Sequence, residues 1–580
     1  MELTLALYFM TALTYSVGAA PTTTTQPVAE TARLQAFYRE GQTFITWTET
    51  DDVDHEQYVL YRSNAPITLD TLTRAVKMAV VNEGSGEYAR EAGLKVLAKK
   101  TGTDGYGQRF IIRGNPANDL NAQLARRIGL FVRTVKKPGK RYYAVLPTVG
   151  GQALPGRFAV LSEPVVESVQ LPGAVLVWKH PDGKAAVYTH FTDGETWDPS
   201  KEGNAYNFGV AVPADYDGSR PLPVVIGTHG MSGSYRAADF SRYWGALWAW
   251  PCDHSGSWFF GMTNRDGTKV INYTEQRVRW LVAWLGAERN NQFWRIDPRF
   301  LHGHGHSMGG TACIAWALRM GDLFCTTVSS AGATIHRRNG KWVKQAEGLW
   351  GGVDTNLPTP NGTGVWDHQD YAQWSLAHIG AETAFLLLSH GKQDKSVPFD
   401  PFPDFVDALQ RSKRPFVAHW DQRGHGEANF LTVRNDRAGG FKIPIDQSLP
   451  AFANASNNDD PRNDGQGMVN GYLEWSAPGN DFDVGSAEDD LIDTPSLYAV
   501  NIRSRKGQAT VDVTPRRLQR FKPVSGKLYR WENIDFSDPA QPAAVDAGQV
   551  RADRYGLVTV RNFRLGDQGW GNRLRLTPVR

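Results

Sequence analysis

The sequence predicts an α/β protein: a doubly wound, mostly parallel sheet, with an antiparallel β-sandwich before it and a small β domain after it. Three observations carry this expectation. Leu222-Pro223-Val224-Val225-Ile226-Gly227 is an unbroken apolar run, as a strand buried on both faces requires. Apolar runs at 300–304, 326–331, 383–388 and 415–420 then alternate with helical patterns at 273–285, 310–318 and 402–409, which is how parallel strands joined by helices read. At 33–62, 129–147 and 496–576 the segments are short, alternating and bounded by turns, as in antiparallel sheets.

The N-terminus comes first in chain order. Leu3 to Val17 is apolar, and Val17-Gly18-Ala19-Ala20 offers small residues for cleavage, so residues 1–20 are expected to be a secretory signal peptide. The run is shorter than the roughly 20 residues a bilayer span needs. The expected location is therefore secreted, extracellular or periplasmic, with no membrane contact after cleavage. A Thr-rich linker follows at 21–31.

Residues 32–172 hold the first set of strands, among them Thr43–Trp47, Gln57–Arg62 and Arg141–Pro147. The placing of Trp47, Tyr58 and Tyr142-Tyr143-Ala144-Val145 resembles a fibronectin type III domain, with an insertion across 75–128. That resemblance implies a spacer or packing module without chemistry of its own. The expected catalytic region is 173–435. Residues 436–490 read as a long polar loop. Its Asp/Asn-rich stretch Asn457–Gly465 lacks the spacing of a calcium loop and is taken as solvated. The C-terminal β domain occupies 491–580.

A chain of 580 residues exceeds what one core organises. Lys and Arg number 63 against 60 Asp and Glu, a net charge of +3 with no like-charged block, so nucleic acid is not an indicated partner. Cys252, Cys313 and Cys325 are too few and too odd for a disulfide framework. Cys313 and Cys325 either pair or remain buried thiols. No zinc-type spacing occurs, and neither a metal nor another cofactor is called for. Asn272, Asn361 and Asn454 are glycan acceptors by motif, in a host that glycosylates.

The chemistry centres on Leu301–Thr311, LHGHGHSMGGT. Gly305-His306-Ser307-Met308-Gly309 is a G-x-S-x-G pentapeptide between a strand and a helix, the context of a nucleophile elbow. Side chains at 305 or 309 would collide with the neighbouring elements. A serine needs a base to take its proton, and the base needs an orienting carboxylate. Asp394 lies in a loop after one apolar run, and His425 lies between two glycines after the next. Both loops fall at C-terminal ends of strands, where open α/β sheets keep their sites. Asp400 and Asp421 are competing acids, and His368, His390 and His419 competing bases. The backbone N–H of Met308 is the first donor to an oxyanion.

The motifs Gly-His-Ser307-Met-Gly-Gly, His390-Gly-x-x-Asp394-x-x-Val-Pro and Gly-His425-Gly resemble the α/β-hydrolase family. The branch they are most similar to is secreted esterases of the feruloyl and acetylxylan type, with the related prolyl-oligopeptidase-like hydrolases. Ile296-Asp297-Pro298-Arg299 fits the same branch. The resemblance covers roughly 175–435 and implies Ser307 as nucleophile, Asp394 as acid and His425 as base. It also implies that His229-Gly230-Met231-Ser232-Gly233 is the second oxyanion loop, with Gly230 or Met231 donating. Trp350 and Trp366, in a Gly/Pro-rich stretch, and Trp420, near His425, are candidate substrate contacts.

The expected activity is a serine carboxylic-ester hydrolase that removes acetyl or feruloyl groups from plant polysaccharide. The alternatives are a prolyl-oligopeptidase-like serine peptidase, which usually carries a propeller that this N-terminal region lacks, and a non-catalytic polysaccharide-binding protein. The expected partner is a polysaccharide or other ester substrate.

Overall fold

The computed structural model describes residues 34–50, 55–87, 109–195, 205–233, 245–253, 256–264, 266–290, 292–426, 443–476, 491–538, 540–567 and 571–579. The expected signal peptide and linker lie outside them.

The centre is a ten-stranded sheet. Its strands are β1 Val175–Lys179, β2 Ala185–Phe191, β3 Ala205–Ala211, β4 Leu222–Gly227, β5 Leu247–Pro251, β6 Ile296–His306, β7 Thr326–Ser330, β8 Phe385–Gly391, β9 Phe416–Asp421 and β10 Gly467–Val469. Their spatial order is β1-β2-β3-β5-β4-β6-β7-β8-β9-β10. From β5 across to β9 all neighbours are parallel. The β1, β2, β3 edge and the last pair, β9 with β10, are antiparallel. The sheet is thus mixed, with a parallel centre. The turn between β1 and β2 is too short for a parallel crossover, which takes a dozen residues or more.

Helices α1 Tyr273–Leu285, α2 Met308–Arg319, α3 Trp342–Trp350, α4 Val365–His368, α5 Tyr371–Ala377 and α6 Phe402–Arg411 follow in chain order. Trp284 of α1, Trp316 of α2 and Phe405 of α6 share one core with Val224, Ile226, Leu386 and Leu388. Side chains alternate across a strand, so Val225, Phe385 and Leu387 point to the other face. There Val225, Trp248 and Trp250 pack against Phe44, Leu130 and Val132 of the N-terminal region. Val328, Phe385, Leu387 and Val417 pack against Leu449, Tyr498 and Val511 of the C-terminal region. Among the described residues, helices therefore cover one face and β structure the other, rather than helices covering both as a doubly wound sheet has them. An apolar strand demands cover, but it does not specify whether a helix or a sheet supplies it.

Before the central sheet lie a three-stranded sheet (Leu34–Arg39, Gln42–Thr48, Ile128–Thr134) and a six-stranded one built on Gln57–Ser63, Val76–Asn82 and Gly139–Val149. They close over Ile45, Trp47, Tyr58, Leu60, Phe131 and Tyr143. Gly129 is required here, because a Cβ would stand 2.3 Å from the Trp47 ring.

The segment 436–490 is not simply a loop. It supplies β10 and the strands Leu449–Ala453 and Leu473–Trp475, which pair into the two C-terminal sheets. Within its Asp/Asn-rich stretch, Asp459 accepts from the amide of Met468, the Tyr472 hydroxyl and Lys506 Nζ.

The C-terminal region is locked to the sheet by two buried arginines. Arg517 donates to the carbonyls of Cys325 (3.2 Å), Pro444 (2.8 Å) and Gln447 (2.8 Å). Arg516 donates to those of Ile379 (3.1 Å) and Lys413 (3.3 Å).

Cys252, Cys313 and Cys325 are buried free thiols, which removes the option that Cys313 and Cys325 pair. Burial pushes the Cys325 thiol up to about 12, and Cys313 is raised by burial as well. Thiolate is the reactive form. A colorimetric thiol reagent is therefore expected to titrate none of the three in the native protein and all three after unfolding.

Among the described residues no helix is long and apolar enough to cross a membrane. No group of three or more His, Cys, Asp or Glu among them is placed to hold a metal ion.

Candidate active site

Ser307 stands between β6 and α2 with φ 59° and ψ −125°, a strained left-handed conformation for a residue with a side chain. The strain aims Oγ off the sheet edge, and local packing maintains it. The amide of Ser307 donates to the carbonyl of Ser330 on β7 at 2.8 Å. A Cβ on Gly305 would lie 2.0 Å from Thr228 Oγ1 and 2.4 Å from the Gly309 carbonyl oxygen. A Cβ on Gly309 would lie 2.2 Å from the same Thr228 hydroxyl. The crossing of β6, the 228–230 loop and the start of α2 is thus too close for any side chain. Gly305→Ala is expected to destabilise the protein by about 3 kcal/mol, at the upper end of overpacking effects, because backbone must move. A denaturant midpoint unchanged from the parent would contradict this.

The strand ends bring the partners in. His425 Nε2 lies 2.8 Å from Ser307 Oγ, and its Nδ1 lies 2.7 Å from Asp394 Oδ2. With Nδ1–H donating to the carboxylate, Nε2 is left to accept from the serine hydroxyl. Asp394 follows β8, and its other oxygen accepts from the amides of Ser396 (2.7 Å) and Val397 (2.9 Å). Burial alone would raise the Asp394 carboxyl. Hydrogen bonds from His390, His425 and the Val397 and Ser396 amides outweigh it and hold the group well below the usual carboxylate range. The His425 loop is clamped by Arg423, whose Nε donates to the Gly426 carbonyl at 2.9 Å. Gly391 at the end of β8 lets that loop close, since a Cβ there would meet the Arg423 carbonyl oxygen at 2.2 Å.

The competing groups are engaged elsewhere. Asp421 pairs with Arg423, and Asp400 with Arg338 at 3.0 Å. His419 is within β9. His368 is packed at the end of α4, where burial and then Arg319 push it down to about 2. His390 flanks Asp394 at Oδ2, the same oxygen that faces His425. Its Nε2 donates to the Val397 carbonyl at 3.0 Å and lies 3.5 Å from Asp394 Oδ2. It fixes the acid rather than competing as a base. His306 packs its ring 4.7 Å from that of His425, a contact that the x of G-x-S-x-G does not announce.

For an oxyanion, the first N–H groups of α2, beginning at Met308, have no partner within the helix. Gly230 lies alongside, and a Cβ on it would be 3.9 Å from Ser307 Cβ. His229 shapes this loop. Its Nε2 accepts from the Asp253 amide at 2.8 Å, so the proton is on Nδ1, which donates to the Gly230 carbonyl at 2.8 Å. Met231 is the next residue of the loop and is half-buried.

The tryptophans expected at the mouth do not line it. Trp350 and Trp366 are 0% exposed and Trp420 is 1% exposed. Trp350 and Trp366 pack on each other and donate to the carbonyls of Gly261 (2.9 Å) and Gly351 (3.1 Å). Each indole has found a backbone acceptor, as a buried tryptophan needs. These three are core residues, not substrate contacts.

A parallel-centred sheet that carries this strained serine and its histidine at its C-terminal rim defines a serine hydrolase of the α/β-hydrolase class. Within that class, residues 268–436 match the prolyl oligopeptidase family. A search of curated proteins finds no match. Among solved structures, the chain is similar to an S-formylglutathione hydrolase from Agrobacterium tumefaciens at 16% identity, covering 46% of this chain and 99% of that one, TM-score 0.36. It is also similar to dipeptidyl peptidase 4 of Porphyromonas gingivalis at 12% identity, covering 53% of this chain and 49% of that one, TM-score 0.32. A ferulic acid esterase matches at 14% identity over 42% of this chain and 92% of its own, TM-score 0.30.

Proposed function

We propose that the protein is a secreted serine carboxylic-ester hydrolase that removes acyl groups, acetyl or feruloyl, from plant polysaccharide. The observation that carries the hydrolase reading is the continuous chain from Ser307 Oγ through His425 to Asp394, with contacts of 2.8 and 2.7 Å. His425 takes the Ser307 proton as Oγ attacks the ester carbonyl. The amides of Met308 and of Gly230 or Met231 receive the oxyanion. Collapse expels the alcohol, which takes the proton from His425 and leaves an acyl group on Ser307. Water, deprotonated by His425, then releases the acid and restores the serine. Asp394 remains ionised throughout and stabilises the histidinium. An alcohol leaves more readily than an amine, so ester cleavage asks the least of this machinery. The polysaccharide and the export rest on the motif resemblance and on the apolar stretch at residues 3–17.

A second reading, a serine peptidase, is favoured by the prolyl oligopeptidase match over 268–436. The two are separated by offering the purified protein p-nitrophenyl acetate, methyl ferulate and a glycyl-prolyl anilide. Turnover of an ester with none of the anilide is expected. Efficient anilide cleavage would replace the ester reading by the peptidase one, and the relative rates on the two esters would report an acetyl-sized or aryl-sized pocket.

A further inference from the structure

A cavity of about 540 Å³ lies where the N-terminal sheets meet the β1–β2 edge of the central sheet. Its size is that of a small-ligand site. It is bordered by Phe293 and Trp294, just before the start of β6, whereas Ser307 follows the end of that strand. β6 is 11 residues long, so at about 3.3 Å per residue the two places are on the order of 30 Å apart. The cavity is not the acyl pocket.

Two features of the lining specify a ligand. One wall is aromatic and continuous. Tyr188 meets Trp284 at 5.0 Å between ring centroids, Trp284 meets Trp294 at 5.7 Å, and Trp294 meets Phe293 at 6.0 Å. Phe293 is a large apolar side chain and is 55% exposed. The other feature is charge. Arg39, Lys179, Lys184 and Arg289 line the cavity, and among the described residues Glu40 is the only carboxylate in the lining. Glu40 is already shared with Arg289 at 3.5 Å. Burial lowers the Arg39 guanidinium from its ordinary value and nearby Arg289 adds to this, against the opposing pull of Glu40. An anion entering the cavity would relieve that crowding.

We propose that this cavity binds a ring bearing a carboxylate, with the ring face on the Phe293–Trp294 wall and the carboxylate between Arg39 and Arg289. Guanidinium and ammonium groups at a partly desolvated site favour a carboxylate, and the aromatic wall favours a flat or pyranose ring beside it. Two sources share this chemistry: a uronic acid unit of a glycan and a free aromatic acid. The site stands apart from the ester-hydrolase reading and holds whether or not Ser307 acts on esters.

The test is calorimetric titration of the full chain carrying Ser307→Ala, which keeps hydrolysis out of the heat signal. The probes are a xylo-oligosaccharide with a glucuronate branch, its neutral counterpart and 4-hydroxybenzoate. At least one of the two acids is expected to bind about tenfold or more tightly than the neutral sugar, a difference erased by Arg289→Gln and weakened by Phe293→Ala. Both positions border the cavity, and both variants are checked for parental melting temperatures. Binding of the branched sugar alone assigns an acidic glycan, binding of the benzoate alone assigns an aromatic acid, and either supports the site. Failure of both acids to bind, equal binding of the neutral sugar, or an affinity untouched by Arg289→Gln overturns it.

Discussion

Ser307→Ala is expected to lower ester turnover by on the order of a million-fold, the scale on which nucleophile removal acts in serine hydrolases. The loss is chemical rather than structural. Alanine keeps the Cβ, so the strained φ of 59° and the 2.8 Å amide contact to Ser330 persist. The variant should melt with the parent. It should also resist an organophosphorus ester that adds its phosphoryl group to the parent at the peptide containing Ser307. A variant that retains more than about 1% of turnover would remove Ser307 as nucleophile, since a residual rate that high leaves no room for an acyl-enzyme on this residue.

Asp394→Asn is expected to cost turnover about 10⁴-fold, as the corresponding change does in other serine hydrolases. Here the reason is visible in the hydrogen bonds. The carboxylate accepts from the amides of Ser396 and Val397 on one oxygen and from His425 on the other. An asparagine must present an NH₂ group to one of these donors. If it faces His425, the imidazole proton moves to Nε2, and Nε2 can no longer accept from Ser307. The same substitution carries a pH signature. Asp394 is depressed in the folded protein. A depressed carboxylate contributes stability that is fully present above the unfolded value of about 3.9 and is lost as pH falls through the folded value. The gap in melting temperature between parent and Asp394→Asn should therefore be constant above about pH 5 and narrow below pH 4. A gap that widens on acidification would mean that the carboxylate is not held ionised.

What the sequence reveals of this site follows from how locally it is dictated. Gly305 and Gly309 flank Ser307 because Thr228 and the start of α2 leave no space for a Cβ, so a backbone constraint is written as a residue pattern. Asp394 and His425 are legible because strand ends are marked by apolar runs and the loops after them are short. The packing around the site is not written this way. Trp350 and Trp366 lie near glycines and prolines, which signal turns but not which way a turn folds, and both rings go inward. His390 has the residue type of a base, and only its 3.5 Å approach to Asp394 Oδ2 shows that it braces the acid. The central sheet illustrates the same limit on a larger scale. The run Phe385–Leu388 is apolar on both faces, but the sequence does not show that its second face is covered by strands more than sixty residues away rather than by helices.

The arginine-locked seam beneath β7–β9 makes the hydrolase sheet and the C-terminal strands a single cooperative unit. Removing residues 443–580 would bare Val328, Phe385, Leu387 and Val417. At about 1.5–3 kcal/mol for each such side chain, that burial alone is worth about 6–12 kcal/mol. This is as large as the roughly 5–15 kcal/mol by which a whole domain is stable. A gene cut at that boundary would yield an aggregating fragment in place of a smaller enzyme, and recombination that exchanges catalytic modules must carry the C-terminal strands along.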